Sequence, residues 1–353
     1  MTAAARPVAP ERLQRAVRDI LVAGGCVDAV AEAVADGLVD ADRHGVASHG
    51  VSRLGIYLER LRSGAVRGDD AVTVDREWET GAILDAGHGF GAWSAARAAD
   101  LCIEKARSAG MAVVVARSAD HFGRAGAFSS RMAEAGLVAI VAANTAPLMP
   151  AVGGAEAVLG NNPLSIAAPG GKAPHVADMA LSAVALGKII EAERAGAEIP
   201  PTWATDTDGA PTTDPSAARA GLLLPAAGAK GFGLAFFIEV LTGVLGGGAI
   251  AGEVRSLYKQ RDEPNDCSHV FIGIDASRFE AGETVAERTD RLADRIRRSP
   301  RAPGVDAVYA PGDLERAAAA RTAEAIPLAA ATADEVEALA AAAGVASPFG
   351  GGA

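Results

Sequence analysis

Three short apolar runs between residues 82 and 142 alternate with segments of helical periodicity, and this alternation constrains the fold most. The runs are Ala82–Leu84, Met111–Ala116 and Leu137–Ala142, and helices are predicted over residues 92–108 and 128–135. Short runs of aliphatic and β-branched residues bounded by turn residues are typical of buried strands. The alternation therefore predicts an α/β core in which helices flank a sheet.

The first 70 residues differ because their apolar residues recur at helical spacing instead of forming continuous runs. Leu13, Val17 and Ile20 share one face of a predicted helix, and residues 30–39 and 54–61 predict two more. The N-terminal part of the chain is therefore predicted to be a helical unit.

Beyond residue 142 the pattern is less regular. Glycine, asparagine and proline predict turns over residues 153–171, whereas Val270–Ile274 predicts another strand. Residues 281–298 predict a charged helix that faces solvent. Residues 234–245 are so apolar that we predict a helix buried on most of its sides.

Composition excludes several classes of function. The net charge of −11 argues against a nucleic-acid partner, which would need a basic face. Three widely spaced cysteines indicate neither a disulfide framework nor a metal site and suit a reducing cytoplasm. The sequence contains no apolar stretch that predicts a signal peptide or a membrane span. The expected protein is therefore cytoplasmic, with no nucleic-acid, membrane or metal partner.

Residues 42–53 read Asp-Arg-His-Gly-Val-Ala-Ser-His-Gly-Val-Ser-Arg and hold two of the six histidines of the chain. Proton-transfer and anion-binding groups concentrated between two predicted helices suit a small anionic substrate and acid/base chemistry. The same residue types are common in polar turns between helices. An active site and a plain turn are therefore equal alternatives for these residues.

Within this cluster, Arg53 follows His49 by four residues, so a helix would place both side chains on one face. A guanidinium can hold a substrate carboxylate through two hydrogen bonds, and Ser48 could bind a substrate oxygen. The alternative for Arg53 is a surface ion pair with Glu59 or with a nearby carboxylate.

His121 follows the strand predicted at 111–116, within the loop Asp120-His-Phe-Gly123. A histidine just beyond a buried strand stands at the edge of the sheet, where α/β proteins place their sites. Imidazole titrates near neutral pH and can exchange a proton with a hydroxyl group. The alternative is a structural histidine that is hydrogen-bonded to Asp120.

Two glycine-rich segments invite comparison with phosphate-binding loops. Gly228–Gly233 opens the apolar helix and contains Lys230, a combination that favours an anion at the helix N-terminus. Gly87-His-Gly-Phe-Gly91 lacks the Gly-x-Gly-x-x-Gly spacing and a suitably placed acid, so we reject a Rossmann motif there. Asp178 precedes a predicted short helix, where it could cap the helix or bind a cofactor hydroxyl group.

Six stretches of the chain together resemble the malate/L-lactate dehydrogenase family that lacks a Rossmann fold. This family includes ureidoglycolate and sulfolactate dehydrogenases, diketogulonate reductase and piperideine-2-carboxylate reductases. The matching stretches keep the family's order: DADRHGVASHGVSRL (40–54), SADHFGRAG (118–126), LGNNPLSIAAP (159–169), DMA (178–180), IPPTWATDTDGAPTTDP (199–215) and LPAAGAKGFGL (224–234).

The resemblance implies an NAD(P)-dependent oxidoreductase that interconverts a small 2-hydroxy acid and its 2-keto acid. It implies NAD or NADP as the cofactor, with NAD favoured, and a homodimer with a site near the subunit interface. It also implies a non-Rossmann mixed β-sheet flanked by helices. The alternatives are a reductase of a cyclic imino acid and a non-catalytic carboxylate-binding protein on the same scaffold.

The resemblance also carries roles to individual residues. His121 matches the proposed acid/base, with His49, paired with Ser48, as its rival, whereas His44 is predicted to be structural. The implied substrate-binding residues are Ser48, Arg53 and Asn161. The implied cofactor-binding residues are His121, Phe122, Gly123, Asn144, Asp178, Met179, Ala180 and Lys230.

Two departures from the family pattern bear on the substrate and the domains. Asn161 stands where the family often has threonine, which leaves the substrate open, and Cys267–Phe271 matches the usual GHFF only loosely. We expect a helical substrate-binding subdomain at 1–70 and a mixed-sheet NAD(P)-binding core at 71–300. A C-terminal helical segment at 301–353 is expected to pack back on the N-terminal unit.

Overall fold

The computed structural model describes residues 4–350. Strands and helices alternate along most of this range, as the predicted α/β class requires. In chain order the strands are β1 (Arg6–Val8), β2 (Thr73–Trp78), β3 (Gly81–Asp85), β4 (Met111–Ala119), β5 (Leu137–Ala143), β6 (Met149–Pro150), β7 (Ala157–Leu159), β8 (Leu164–Ala168), β9 (His175–Met179), β10 (Cys267–Asp275) and β11 (Ile326–Leu328). The helices are α1 (Pro10–Ala23), α2 (Asp28–Arg43), α3 (Leu54–Ser63), α4 (Gly91–Ala109), α5 (Ala125–Glu134), α6 (Leu186–Ala195), α7 (Pro215–Ala220), α8 (Ala229–Glu239), α9 (Val285–Arg297), α10 (Asp313–Arg321) and α11 (Ala330–Ala343).

Seven strands form one mixed sheet in the order β2-β3-β4-β10-β5-β8-β9. The β3–β4 pair is parallel and the other neighbours are antiparallel. This arrangement confirms the predicted mixed sheet flanked by helices.

Alternation along the central strands divides the core into two layers. Val114 and Ala116 of β4 pack with residues of α4 and α5 on one face, whereas Val115 packs with residues of α6 and α8 on the other. Since successive side chains of a strand point to opposite faces, the apolar run at 111–116 can fill both layers.

The N-terminal helices α1, α2 and α3 form a third core with the C-terminal residues. Ile326 and Leu328 of β11, and Ala333 and Val336 of α11, are buried in this cluster. β1 pairs with β11 in an antiparallel ribbon. The C-terminal segment therefore packs on the N-terminal helices, while the division of the chain at residues 70 and 300 stays a prediction.

One predicted burial is wrong. The apolar helix predicted at 234–245 consists of α8 followed by a π-helical turn over Val240–Val244. Five of its large apolar side chains are about half exposed or more. They form the apolar strip Leu234, Phe236, Phe237, Val244 and Leu245. This segment is therefore apolar without being buried on most of its sides within one chain.

No helix within residues 4–350 is long and apolar enough to cross a membrane.

Candidate active site

One edge of the sheet gathers most of the predicted site residues. The carboxyl ends of β4, β5 and β9 lie at this edge, together with the amino ends of β8 and β10, because β8 and β10 run antiparallel to their neighbours. His121 follows β4, Asn144 follows β5, and Asn161 precedes β8. The topology therefore brings together residues that are far apart in sequence.

Strained backbone conformations concentrate at the same edge. Of the six non-glycine residues with positive φ that the structure records in its described part, four lie there: His88, Ser118, Asn162 and Asp266, with φ from 24° to 60°. Such conformations cost free energy and persist where the surrounding structure holds them, often at functional sites.

The histidine cluster folds as two short 3₁₀ turns, Ala47–His49 and Val51–Arg53, that are separated at Gly50. The expectation that His49 and Arg53 share one face of a helix is therefore wrong. The buried carboxylate of Asp42 accepts a hydrogen bond from the backbone N–H of Val51 at 2.8 Å. A Cβ atom at residue 50 would lie 2.1–2.4 Å from that carboxylate, so the turn requires glycine there.

Two imidazole rings meet at the centre of the site. The rings of His49 and His121 are stacked with their centroids 5.4 Å apart. His121 Nδ1 shares a hydrogen bond of 2.6 Å with the hydroxyl of Tyr57, and His49 Nδ1 shares one of 2.9 Å with the hydroxyl of Ser48. Each imidazole is thus fixed through Nδ1.

Arg53 lies beside this pair with its charge uncompensated. Its Nε donates to the Ser48 carbonyl at 2.6 Å, and its guanidinium lies 5.2 Å from the centroid of the Tyr258 ring. No ion pair to Arg53 occurs within residues 4–350. The alternative of an ion pair with Glu59 is wrong, because Glu59 pairs with Arg261 at 2.9 Å.

Burial and nearby positive charge keep both histidines neutral. Desolvation, followed by His49 and Arg53, holds the pKa of His121 well below its usual value of 6.5. Desolvation, followed by Arg53 and Arg124, lowers the pKa of His49 to about 4. Neutral imidazoles can accept a proton at neutral pH, as a general base must.

Asp120 and Arg60 fix the backbone of the loop that carries His121. Asp120 accepts from the backbone N–H of His121 at 2.8 Å and pairs with the buried guanidinium of Arg60 at 2.6 Å. The expected hydrogen bond between His121 and Asp120 is therefore present, but the backbone of His121 makes it, while Tyr57 bonds the ring. Phe122 points away from the site, into a stack with Phe128 and His269.

His44 points into a different cluster. Its Nδ1 lies 3.0 Å from the carboxylate of Asp40, which also pairs with Arg124 at 2.6 Å. These contacts connect α2 to the start of α5, as expected for a histidine with a structural role.

The two predicted asparagines, Asn144 and Asn161, differ in burial and in hydrogen-bond partners. The side chain of Asn144 is fully buried; it donates to Glu239 and to the carbonyl of Ala249, and it accepts from the N–H of Ser268. Its side-chain amide is already bonded to protein groups, and its predicted contact with the cofactor stays a prediction. Asn161 is only partly buried and accepts from the hydroxyl of Thr145 at 3.0 Å.

The remaining predicted cofactor residues lie on β9 and at the start of α8. Asp178 lies in β9 and accepts from the N–H of Gly126 at 2.8 Å, so it caps α5 and not the helix that follows it in sequence. Met179 is 45% exposed. Lys230 is exposed in the first turn of α8, which lacks a side-chain cap.

Sequence reasoning missed three residues of this site. Tyr57, Arg60 and Tyr258 all contact residues that it singled out. Tyr57 and Arg60 follow Arg53 by four and seven residues, which is the spacing of one helical face and could have revealed them. Tyr258 comes from a loop two hundred residues later, and no local pattern could connect it to Arg53.

The chain matches the family model described as malate/L-lactate dehydrogenase over residues 8–337. It is 36% identical over 308 residues to L-sulfolactate dehydrogenase of Methanothermobacter thermautotrophicus, covering 87% of this chain and 88% of the relative. It is 40% identical over 255 residues to (2R)-3-sulfolactate dehydrogenase (NADP(+)) of Chromohalobacter salexigens, covering 71% and 76%. It is 35% identical over 306 residues to ureidoglycolate dehydrogenase (NAD(+)) of Escherichia coli O157:H7, covering 86% and 87%.

Solved structures agree with these relatives. The sulfolactate dehydrogenase of Methanocaldococcus jannaschii superposes with a TM-score of 0.91 at 33% identity, over 96% of this chain and 98% of that one. The Δ1-piperideine-2-carboxylate reductase of Pseudomonas syringae pv. tomato gives a TM-score of 0.84 at 32% identity, over 94% and 99%.

Proposed function

Since this chain belongs to the malate/L-lactate dehydrogenase family, we propose that it is an NAD(P)-dependent oxidoreductase that interconverts a small 2-hydroxy acid and its 2-keto acid. One observation carries the proposal furthest: the neutral imidazole of His121 lies beside an arginine, Arg53, that has no carboxylate partner in the described chain. A base next to a free carboxylate-binding group is what oxidation of a 2-hydroxy acid requires.

In this mechanism Arg53 binds the substrate carboxylate, while Ser48 and Asn161 bind its other oxygens. For oxidation of the alcohol, Nδ1–H of His121 donates to the Tyr57 oxygen. Nε2 is then free to accept the hydroxyl proton, and in reduction it returns that proton to the keto oxygen. His49 is the rival proton carrier, since it stacks on His121 and is bonded to Ser48.

Substrate binding also tunes the proton carrier. The charge of Arg53 contributes to the low pKa of His121 and of His49. A bound carboxylate offsets that charge, so the pKa of His121 rises when the substrate is present. The imidazole thereby becomes a better acceptor only in the occupied site.

The chain offers groups that suit a dinucleotide. The first turn of α8 has unsatisfied backbone N–H groups, and Lys230 adds a positive charge there, so both would hold the phosphates. Asp178, Met179, Ala180 and the loop of His121 and Gly123 would line the rest of the site, to which Phe122 would contribute only its backbone. When bound, the nicotinamide of NAD or NADP accepts or supplies the hydride at C2 of the substrate.

We also propose a homodimer. The apolar strip leaves five large side chains about half exposed or more on one helix and its π turn, and such surfaces commonly mark subunit interfaces. Three free, buried cysteines support a cytoplasmic location.

Reduction of a cyclic imino acid is the second candidate. The similarity to Δ1-piperideine-2-carboxylate reductase favours it, and the same Arg53 would hold the carboxylate of such a substrate.

A substrate panel tests the proposal. Purified protein is assayed by nicotinamide absorbance with NADH and with NADPH against pyruvate, oxaloacetate, sulfopyruvate and a cyclic imino acid, and in the oxidative direction with ureidoglycolate. We expect turnover with at least one 2-keto or 2-hydroxy acid. Turnover with the imino acid alone would establish the second candidate, and cofactor and acid binding without turnover would indicate a non-catalytic carboxylate-binding protein.

A further inference from the structure

The Arg60–Asp120 ion pair is unusual in its burial. Its two side chains are 1% and 3% exposed, which no other ion pair within residues 4–350 approaches for both partners. Removing two charges from water costs several kcal/mol per ion, and the attraction within a buried pair often does no more than offset this cost. Stability alone is therefore a weak reason for this pair.

The remaining side-chain hydrogen bonds of the pair go to His121 and to backbone carbonyls of residues 260–263. The second oxygen of Asp120 accepts from the N–H of His121, while Arg60 also donates to the carbonyls of Gln260 and Glu263 at 3.1 Å. Tyr57, three residues before Arg60 on α3, bonds the imidazole of His121. One face of α3 thus holds the backbone of residues 120–121 through Arg60 and the ring of His121 through Tyr57.

Through its bonds to Gln260 and Glu263, Arg60 also contacts the segment that lies beside Arg53. The segment 256–263 folds back on itself, with Arg261 Nε donating to the carbonyl of Tyr258 at 3.1 Å. Tyr258 is the ring that faces the guanidinium of Arg53. A single buried guanidinium therefore connects the loop of the proton carrier to the segment beside the carboxylate-binding arginine.

We propose that Arg60 and Asp120 are a positioning pair for the reaction: Asp120 sets the imidazole of His121, and Arg60 sets both His121 and the segment that carries Tyr258. Neither residue touches the substrate. This role rests on the proposed function, because it assumes that His121 transfers the proton.

Substitutions of Asp120 and of Arg60 are expected to have different kinetic effects. Asp120→Asn keeps the shape of the side chain but turns an N–H donor toward either Arg60 or the His121 N–H. We expect kcat to fall about 10- to 100-fold, because small displacements of a catalytic group have effects of this order. The substrate KM is expected to stay within about twofold, since Arg53 keeps its place. Arg60→Met should lower kcat and also raise KM, because segment 256–263 loses its donor.

Two further measurements separate positioning from stability. Asp100→Asn makes the same change in the exposed Asp100–Arg131 pair and should leave kcat and KM at wild-type values. The ¹⁵N imidazole resonances of His121 should report one hydrogen-bonded Nδ1 in the wild type and a changed Nδ1 signal in Asp120→Asn, with Tyr57→Phe as the reference for loss of that bond.

The result that overturns the proposal is an Asp120→Asn protein whose His121 resonances and kcat match the wild type. A lower melting temperature with unchanged His121 resonances would likewise overturn it, because the pair would then be structural only. If the wild type shows no turnover on any substrate, the proposed function fails, and the resonances still decide whether the pair positions His121.

Discussion

Arg53 differs from its neighbouring arginines in what compensates its charge. Arg60 pairs with Asp120 and Arg124 pairs with Asp40, whereas Arg53 bonds a backbone carbonyl and faces the ring of Tyr258. Because no ion pair to Arg53 occurs within residues 4–350, we propose that this cation beside the two imidazoles binds the substrate carboxylate. The cation also lowers the pKa of both imidazoles.

Replacing Arg53 should therefore change both binding and pH dependence. In Arg53→Ala we expect the substrate KM to rise about 10- to 100-fold, since a hydrogen bond to a charged group contributes roughly 1.5–3 kcal/mol. Removing the charge also raises the pKa of His121, so the acidic limb of kcat/KM for oxidation should move to higher pH. Steady-state kinetics from pH 5 to 9 measure both effects.

Arg62→Ala is the matched control, since Arg62 is an exposed arginine on α3. It should leave KM and the pH profile unchanged. A wild-type KM in Arg53→Ala would show that the carboxylate binds elsewhere.

The two 3₁₀ turns at 47–53 depend on one buried acid of α2, Asp42, which accepts from the N–H of Val51. Burial raises the pKa of Asp42 to about 6, while the N–H of Val51 offsets part of that increase. The unfolded carboxyl ionises near 3.8, so the folded protein binds the proton more tightly. The stabilising contribution is present below about pH 3.8 and is lost as the pH rises through about 6.

Asp42→Asn should remove this pH dependence and keep the acceptor for Val51. We expect the variant to gain stability relative to the wild type by about 2.5 kcal/mol between pH 4 and pH 8, at about 1.4 kcal/mol per pKa unit. Urea unfolding across this range measures the difference. A difference that does not vary with pH would contradict the ionisation of Asp42, and Asp42→Ala, which lacks the acceptor, should be destabilised throughout.

The sequence predicted an element well where a local residue pattern decides its conformation, as a run of aliphatic residues does for a buried strand. The runs at 111–116 and 137–142 are β4 and β5, and α3 ends at Gly64 with the left-handed conformation that glycine favours. The turn residues at 153–171 concealed β7 and β8, because their short strands gain stability from neighbours in the sheet. The helix expected between His49 and Arg53 is interrupted at Gly50, whose backbone is extended (φ −86°, ψ −158°) and lies against the Asp42 carboxylate.

Across the whole molecule, the sequence could predict that His121 follows a central strand, but not which side chains surround it. His121 at the end of β4 follows from the strand pattern. Its bond to Tyr57 and the buried pair beneath it depend on how α3 packs on the sheet edge. The exposure of the apolar strip could not be predicted from the sequence, because a run of apolar residues is compatible both with burial within the chain and with an exposed apolar surface.

The exposed apolar strip of α8 and its π-helical turn predicts that the protein forms a homodimer through this surface. We expect the wild type to sediment as a dimer and Phe237→Glu, at a position 63% exposed, to shift toward monomer. Burying a carboxylate in an apolar interface without a partner is unfavourable. Analytical ultracentrifugation measures the mass.

Phe279→Glu is the matched control, since Phe279 is 72% exposed and lies outside the strip, after β10. It should sediment like the wild type. A monomeric wild type, or a dimer that Phe237→Glu leaves intact, would show that the strip is not the interface.

We propose that His121 carries the proton during hydride transfer to or from a 2-hydroxy acid. The most direct measurement compares kcat of the wild type, His121→Ala and His49→Ala on the best substrate of the panel, with cofactor affinity measured by fluorescence. His121→Ala should reduce kcat by roughly 10²–10⁴-fold while the cofactor still binds, and His49→Ala should reduce it much less. Unchanged turnover in His121→Ala, with the loss appearing in His49→Ala instead, would contradict the claim and give the proton to His49.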